Sequence, residues 1–220
     1  MEKSTHHREN INQIGFDMLI LCKSQIVKAK ECLLNNDSDL AEEVMHNEAR
    51  VNAMDIKIER DCERYLALYN PVAIDLRFIM VVRKINSELE RIADHAYNIA
   101  KIVVETEKHI PKHLFNALDF DEMCDTVDIM LDLITTAYDK KDVKLARKVF
   151  KKDKVLDKIN YNSYRIIEEE IKKDNNIIGE ALLLFSVINK LERVGDLIKN
   201  IAEEIIFYID AEILKHRNEK

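Results

Sequence analysis

One pattern occurs twice in this chain, and any fold it adopts has to house both copies. Leu89-Glu90-Arg91-Ile92-Ala93-Asp94 returns as Leu191-Glu192-Arg193-Val194-Gly195-Asp196, with both acidic residues displaced by the same 102 positions (192 − 90 and 196 − 94). Asn98-Ile99-Ala100 reappears at the same interval as Asn200-Ile201-Ala202. Further upstream, Leu40-Ala41, Val44, Glu48 and Asn52 correspond to Leu145-Ala146, Val149, Asp153 and Asp157 at an interval of 105 (153 − 48). Two halves of about one hundred residues therefore carry one design, and each is long enough to form a unit of its own.

Composition restricts what that unit can be. Of 220 residues, 47% are apolar, only three are glycine and two are proline. Strands have almost no turn chemistry to live between, and the abundance of Leu, Ile, Glu, Lys and Ala favours an all-α chain of few, long helices. The formal net charge is −7, with acids and bases mixed along the chain. A nucleic acid or an anionic membrane needs a concentrated basic face, so neither is expected as a partner. The cysteines Cys22, Cys32, Cys62 and Cys124 form no Cys-x-x-Cys pair, and Met1 leads into polar residues, which together suit a reducing cytoplasm. No run approaches the ~18 apolar residues needed to span a bilayer.

Apolar spacing predicts six helices in two sets of three. Leu19, Cys22, Ile26, Ala29 and Leu33 step by three and four and stop before Asn35-Asn36-Asp37-Ser38, a turn with a helix cap. A second helix from about Ser38 to Tyr69 carries Val44, Val51, Met54, Ile58 and Tyr65 and ends at Asn70-Pro71, where the proline should open the third. The third shows the clearest seam, Phe78, Val82, Ile85, Leu89, Ile92, Ala96, Ile99 and Val103, and fades near Glu107 to Pro111. The fourth shows Phe120, Cys124, Val127, Leu131, Ile134 and Tyr138. The fifth spans about Val143 to Lys173, and the sixth repeats the third with Leu184, Val187, Leu191, Val194, Ile198, Ile201 and Ile205. Two tandem three-helix bundles are expected, over 1–109 and 110–220, and these apolar stripes are their cores.

The acidic pairs carry the functional signal. Glu90 and Asp94, like Glu192 and Asp196, are one helical turn apart and flank the seam. Glu48 and Asn52, and Asp153 and Asp157, each follow a seam position on the preceding helix, so every half presents oxygen donors on neighbouring helices. A lone pair of this kind is an ordinary solvated or salt-bridged face, and Arg91, Arg193, Arg83, Lys190 and Lys199 lie near enough in sequence to neutralise it. Four such pairs or near-pairs in equivalent places point instead to cations, because converging carboxylates raise one another's pKa unless a positive ion joins them. All-oxygen donors suit Mg²⁺, Mn²⁺ or iron; structural zinc would need paired Cys or His. His95 points about 100° away from Asp94 and has Leu197 as its counterpart, so it is not a shared ligand. Glu43-Val44-Met45-His46 has the spacing of a carboxylate di-iron bundle, but its counterpart Lys148-Val149-Phe150-Lys151 does not.

The chain resembles the PhoU family of phosphate-uptake regulators, through Asn70-Pro71-Val72-Ala73-Ile74-Asp75-Leu76-Arg77, through residues 88–100, and through residues 190–196 with Asn200-Ile201-Ala202-Glu203. The resemblance implies tandem three-helix bundles with multinuclear metal clusters, iron first and Mg²⁺ or Mn²⁺ as alternatives, held by Glu/Asp-x-x-x-Asp motifs. By position, the ligands it implies are Glu48, Glu90 and Asp94 in the first bundle and Asp153, Asp157, Glu192 and Asp196 in the second. Asn52 departs from an expected acid, Lys101 stands where the second copy has Glu203, and Ala93 replaces the glycine seen at Gly195, so the second site is expected to be the fuller one. The function implied is a non-catalytic adaptor that represses phosphate-starvation genes. Its implied partners are the ATP-binding subunit of a phosphate ABC transporter and a sensor histidine kinase, so any membrane contact is indirect.

Two other classes compete with this reading. A metal-free helical scaffold would use its acidic flanks to bind basic partners, and salt would weaken it. A ferritin-like oxidase would need histidine ligands or open coordination positions that the pattern lacks, and no nucleophile, phosphate loop or Cys/His dyad is visible. Association into a homodimer is expected of an amphipathic bundle with such flanks, though no residue specifies the interface.

Overall fold

The computed structural model describes residues 2–106 and 109–218, with side chains placed over 3–106 and 109–210. Six long helices carry the architecture: α1 (Glu2–Asn35), α2 (Ser38–Tyr69), α3 (Ile74–Glu105), α5 (Phe120–Lys140), α6 (Val143–Lys173) and α7 (Ile178–Asn218). A six-residue α4 (Lys112–Ala117) and one 3-10 turn (Asn175–Ile177) join them, and no strand occurs among the described residues. Of the expected boundary between 107 and 111, residues 107 and 108 lie outside the described residues, and 109–111 are non-helical.

The repeat is visible in the turns as well as the helices. Between α1 and α2, Asn36 takes a positive φ of 50° and Asp37 caps α2 by accepting from the Leu40 N–H at 3.0 Å. Between α5 and α6, Lys141 takes φ 51° and Asp142 accepts from the N–H groups of Lys144 and Leu145 at 2.7 and 3.2 Å. A left-handed residue followed by an aspartate cap reverses the chain and satisfies amides that the helix start leaves open. The α2–α3 junction departs from expectation. Pro71 does not begin the helix; α3 starts at Ile74 after Ala73, whose φ of 49° is costly for a residue with a Cβ. Asn70 instead closes α2 in a left-handed conformation, its N–H reaching the Leu66 carbonyl at 3.2 Å.

In the first lobe α1, α2 and α3 pack on one another, and α5, α6 and α7 do so in the second. The predicted seams of α3 and α7 are buried throughout; Met54 and Tyr138 are only partly so. The lobes meet along α3 and α7, with α1 against α5, and buried apolar side chains form one continuous cluster through both. Lys84 donates to Glu204 at 2.8 Å across the α3–α7 seam, while Lys23 and Lys30 of α1 pair with Asp132 and Asp128 of α5. All four cysteines are buried thiols.

Candidate functional site

Adjacent helices bring the acidic pairs together in each lobe: α2 carries Glu48 and Asn52 beside Glu90 and Asp94 on α3, and α6 carries Asp153 and Asp157 beside Glu192 and Asp196 on α7. The two lobes differ in what balances those charges.

In the first lobe, among the described residues, no cation pairs directly with the carboxylates of Glu48, Glu90 and Asp94. Burial and then the charge of Asp94 hold Glu48 above the ordinary glutamate range. Glu90 is raised by burial, then by Asp94, Asp55 and Glu48, against a weak opposing pull from Arg91. Among the described residues, none of Glu48, Glu90 and Asp94 has an ion-pair partner; Arg91 turns away to Glu88 at 3.1 Å, and Lys101 to Glu105 at 3.5 Å. Asn52 is exposed at the rim. His95 is half-buried, and burial followed by Lys190 of α7 lowers its pKa, so it belongs to the seam between lobes.

In the second lobe Lys199 stands between the helices. Its Nζ donates to Asp153 Oδ2 at 2.7 Å and to Asp196 Oδ1 at 2.6 Å. Arg193 adds weaker approaches, 3.9 Å to Glu192 and 3.8 Å to Asp196. The reason lies at the preceding turn. Where Arg91 has Glu88 to bind, Arg193 has Lys190, which bonds Ser186 instead. Burial raises Asp153 above the ordinary aspartate range despite the bond from Lys199. Glu192 is raised by burial and Asp196, with Arg193 opposing. Burial works against the charge of Lys199, but its two carboxylate partners outweigh it and hold the ammonium well above the ordinary lysine value. Asp157 is exposed at the rim, near enough to raise Glu192 slightly.

Gly195 permits this close approach. A Cβ there would lie 2.4 Å from Leu156 Cδ1 and 3.4 Å from Asp153 Oδ1. In the first copy Ala93 stands at the glycine position and the shorter Val51 at that of Leu156, both buried, so the two lobes divide the same space differently.

Among the described residues no three Asp, Glu, His or Cys side chains converge tightly enough to cage one ion. As a donor set, the half-exposed oxygens of Glu48, Glu90 and Asp94 suit a hard cation, and among the described residues none of the three has an ion-pair partner. Those of the second lobe are already bonded to an ammonium group. Spacing located the paired carboxylates and put Lys199 among the cations near enough to neutralise them; its reach across to Asp153 and the influence of Asp55 escaped it. Two signals pointed to Lys199: it stands three residues after Asp196 on the same helix, and it breaks the repeat, since its counterpart is Tyr97.

Two three-helix lobes sharing a core, each with a carboxylate-bearing flank on adjacent helices, define an all-helical tandem-repeat protein. The chain belongs to the PhoU family: the family model described as "PhoU domain" matches residues 17–103 and again 120–205. It is 34% identical over 203 residues to the phosphate-specific transport system accessory protein PhoU homolog of Aquifex aeolicus, covering 92% of this chain and 91% of that one. With the phosphate-specific transport system accessory protein PhoU of Serratia marcescens it shares 30% identity over 94% of this chain and 85% of its relative. The crystal structure of PhoU from Pseudomonas aeruginosa superposes with a TM-score of 0.88 at 28% identity, covering 94% of this chain and 98% of that one.

Proposed function

We propose that this chain is a non-catalytic regulator of phosphate uptake and phosphate-starvation signalling that works as an adaptor. Its partners in this reading are the ATP-binding subunit of a phosphate ABC transporter and a sensor histidine kinase, met on their cytoplasmic sides by a homodimer of the chain. The observation that carries the reading is similarity over nearly the whole length to proteins named as phosphate-specific transport system accessory proteins, with both repeats matched. No helix among the described residues is long and apolar enough to cross a membrane; in this reading the transporter is met through the flanks and outer helix faces.

The mechanism we assign is electrostatic. Lobes 1–109 and 110–220 each present carboxylates on two adjacent helices, and where no protein cation answers them, a metal ion, iron first or else Mg²⁺ or Mn²⁺, would draw α2 and α3 into one fixed relation. Glu48, Glu90 and Asp94, which do not converge on one point as they stand, would have to close around it. Without the ion, burial first and then their mutual repulsion hold Glu48 and Glu90 above the ordinary glutamate range. A partner that reads the shape of this flank would then read the metal-bound state.

The test is genetic and direct. Deleting the gene should switch on a phosphate-starvation reporter in phosphate-rich medium, and the wild-type chain should restore repression where Glu90→Ala/Asp94→Ala restores less. A deletion that leaves the reporter silent in rich medium and normally inducible on starvation would end the regulatory reading.

A further inference from the structure

The repeat breaks at one position that lies between acidic helices. Asp94 corresponds to Asp196 and Asn98 to Asn200, but between them Tyr97 of the first copy is replaced by Lys199 of the second. That substitution puts a cation at a position where the first lobe has a tyrosine. From α7 the ammonium reaches Asp153 of α6 at 2.7 Å and also bonds Asp196 of its own helix at 2.6 Å, and its shelter is substantial: the side chains of Asp153 and Lys199 are 7% and 28% exposed. Charge-assisted bonds of this length are the strong ones, and a buried partner left alone is costly. A tethered ammonium is also present at high effective concentration, whereas an ion must be captured from solution. The two occupants exclude each other, because Mg²⁺ would draw carboxylate oxygens to about 2.1 Å and Mn²⁺ or Fe²⁺ would make comparable demands, leaving no place for Nζ between the same oxygens.

We propose that Lys199 is the resident cation of the second lobe, so that this chain takes up metal at Glu48, Glu90 and Asp94 of the first lobe and not at Asp153, Asp157, Glu192 and Asp196 of the second. The inference rests on the metal-binding reading above and adds to it an asymmetry: one lobe responds to metal, while the other is held in shape permanently by its own side chain.

Metal-stripped full-length protein is titrated with Mn²⁺, free Mn²⁺ being followed by its paramagnetic resonance signal, and repeated with Fe²⁺ under anaerobic conditions. Wild type should bind, Glu90→Ala/Asp94→Ala should lose at least tenfold in affinity, and Glu192→Ala/Asp196→Ala should bind as wild type does. Lys199→Met should take up at least one further equivalent per chain, removed again when Glu192→Ala/Asp196→Ala is added, and its melting temperature should rise with Mn²⁺ more than that of wild type. Wild-type binding that survives Glu90→Ala/Asp94→Ala but not Glu192→Ala/Asp196→Ala overturns the proposal, as does a folded Lys199→Met with unchanged stoichiometry. If Lys199→Met does not fold, the two double variants in the wild-type background decide alone. No binding of either metal by any protein, Lys199→Met included, overturns the metal reading itself and this inference with it.

Discussion

Asp55 carries a charge that its surroundings do not fully answer. Its carboxylate accepts from Asn86 Nδ2 at 2.6 Å, yet burial and the charge of Glu59 hold it above the ordinary aspartate value of 3.8, and it in turn raises Glu90. A carboxyl whose folded pKa exceeds its unfolded one binds its proton more readily when folded. Protonation therefore favours the fold, fully below the ordinary value and no longer once pH rises through the folded value. At neutral pH the charged form is a cost. Asp55→Asn keeps an acceptor for Asn86 and removes the charge, so metal-free protein should gain about 0.5 kcal/mol at pH 7, or ~1–2 °C in melting temperature. The gain should shrink as the melts are repeated toward pH 3.8. A variant that melts lower than wild type at pH 7 would mean that the charge-assisted bond from Asn86 outweighs burial. Partnerships of this kind were illegible in the sequence for a plain reason: Asp55 reaches Asn86 thirty-one positions away on another helix, and Lys199 reaches Asp153 forty-six away. Helical spacing reports neighbours on one face of one helix; it is silent on which faces meet.

Helix packing turns small differences between the copies into opposite demands. Gly195 on α7 faces Leu156 on α6, which is fully buried, so the leucine end must turn within a packed core to admit a Cβ. Gly195→Ala would gain up to ~1 kcal/mol in helix propensity. Against that, forcing a Cβ to 2.4 Å from Leu156 Cδ1 costs about 1–3 kcal/mol in overpacking. The clash should win by about 1 kcal/mol, a fall of ~2–4 °C in the melt. Adding Leu156→Val reproduces the Val51 and Ala93 combination of the first copy and should recover the loss, a coupling that a double-mutant cycle measures directly. Equal losses from Gly195→Ala with and without Leu156→Val would show that the two residues do not share the space. At this scale the sequence was highly legible. The bounds of α2 and α6 agree with the caps Asp37 and Asp142 that the turn residues provide, and the seams of α3 and α7 follow their four-three steps into the core. The six residues of α4 are too few for any period to register, and the late start of α3 reflects a turn at 71–73 that Pro71 alone does not specify.

At the scale of the molecule, duplication explains each lobe but not their union, because the contacts that join the lobes have no copies. Lys84 with Glu204, His95 near Lys190, and the buried seam of α3 against α7 are all unique pairings, which is why the repeat announced two bundles without showing that they share one core. Arg8 is the most connected of these residues. From α1 it donates to Asp75 Oδ1 of α3 at 3.1 Å and to the Tyr208 hydroxyl of α7 at 2.7 Å, and its guanidinium lies 4.9 Å from the centre of the Phe78 ring, which itself packs on Tyr208. The ion pair alone is worth little, since Asp75 is 42% exposed. The planar fork is worth more, because one group serves a charge, a hydroxyl and an aromatic face at once. Arg8→Ala should cost about 1–2 kcal/mol, and Arg8→Lys, which keeps the charge but not the fork, nearly as much. The readout that separates this from general destabilisation is local. Amide hydrogens of α7 over 200–210 and of the first turns of α3 should exchange several-fold faster, while those in the middle of α2 hold their wild-type rates, since Arg8 touches α3 and α7 and bonds nothing on α2. Uniform acceleration across all six long helices, or none, would show that the lobes are held together by the apolar seam without help from this residue.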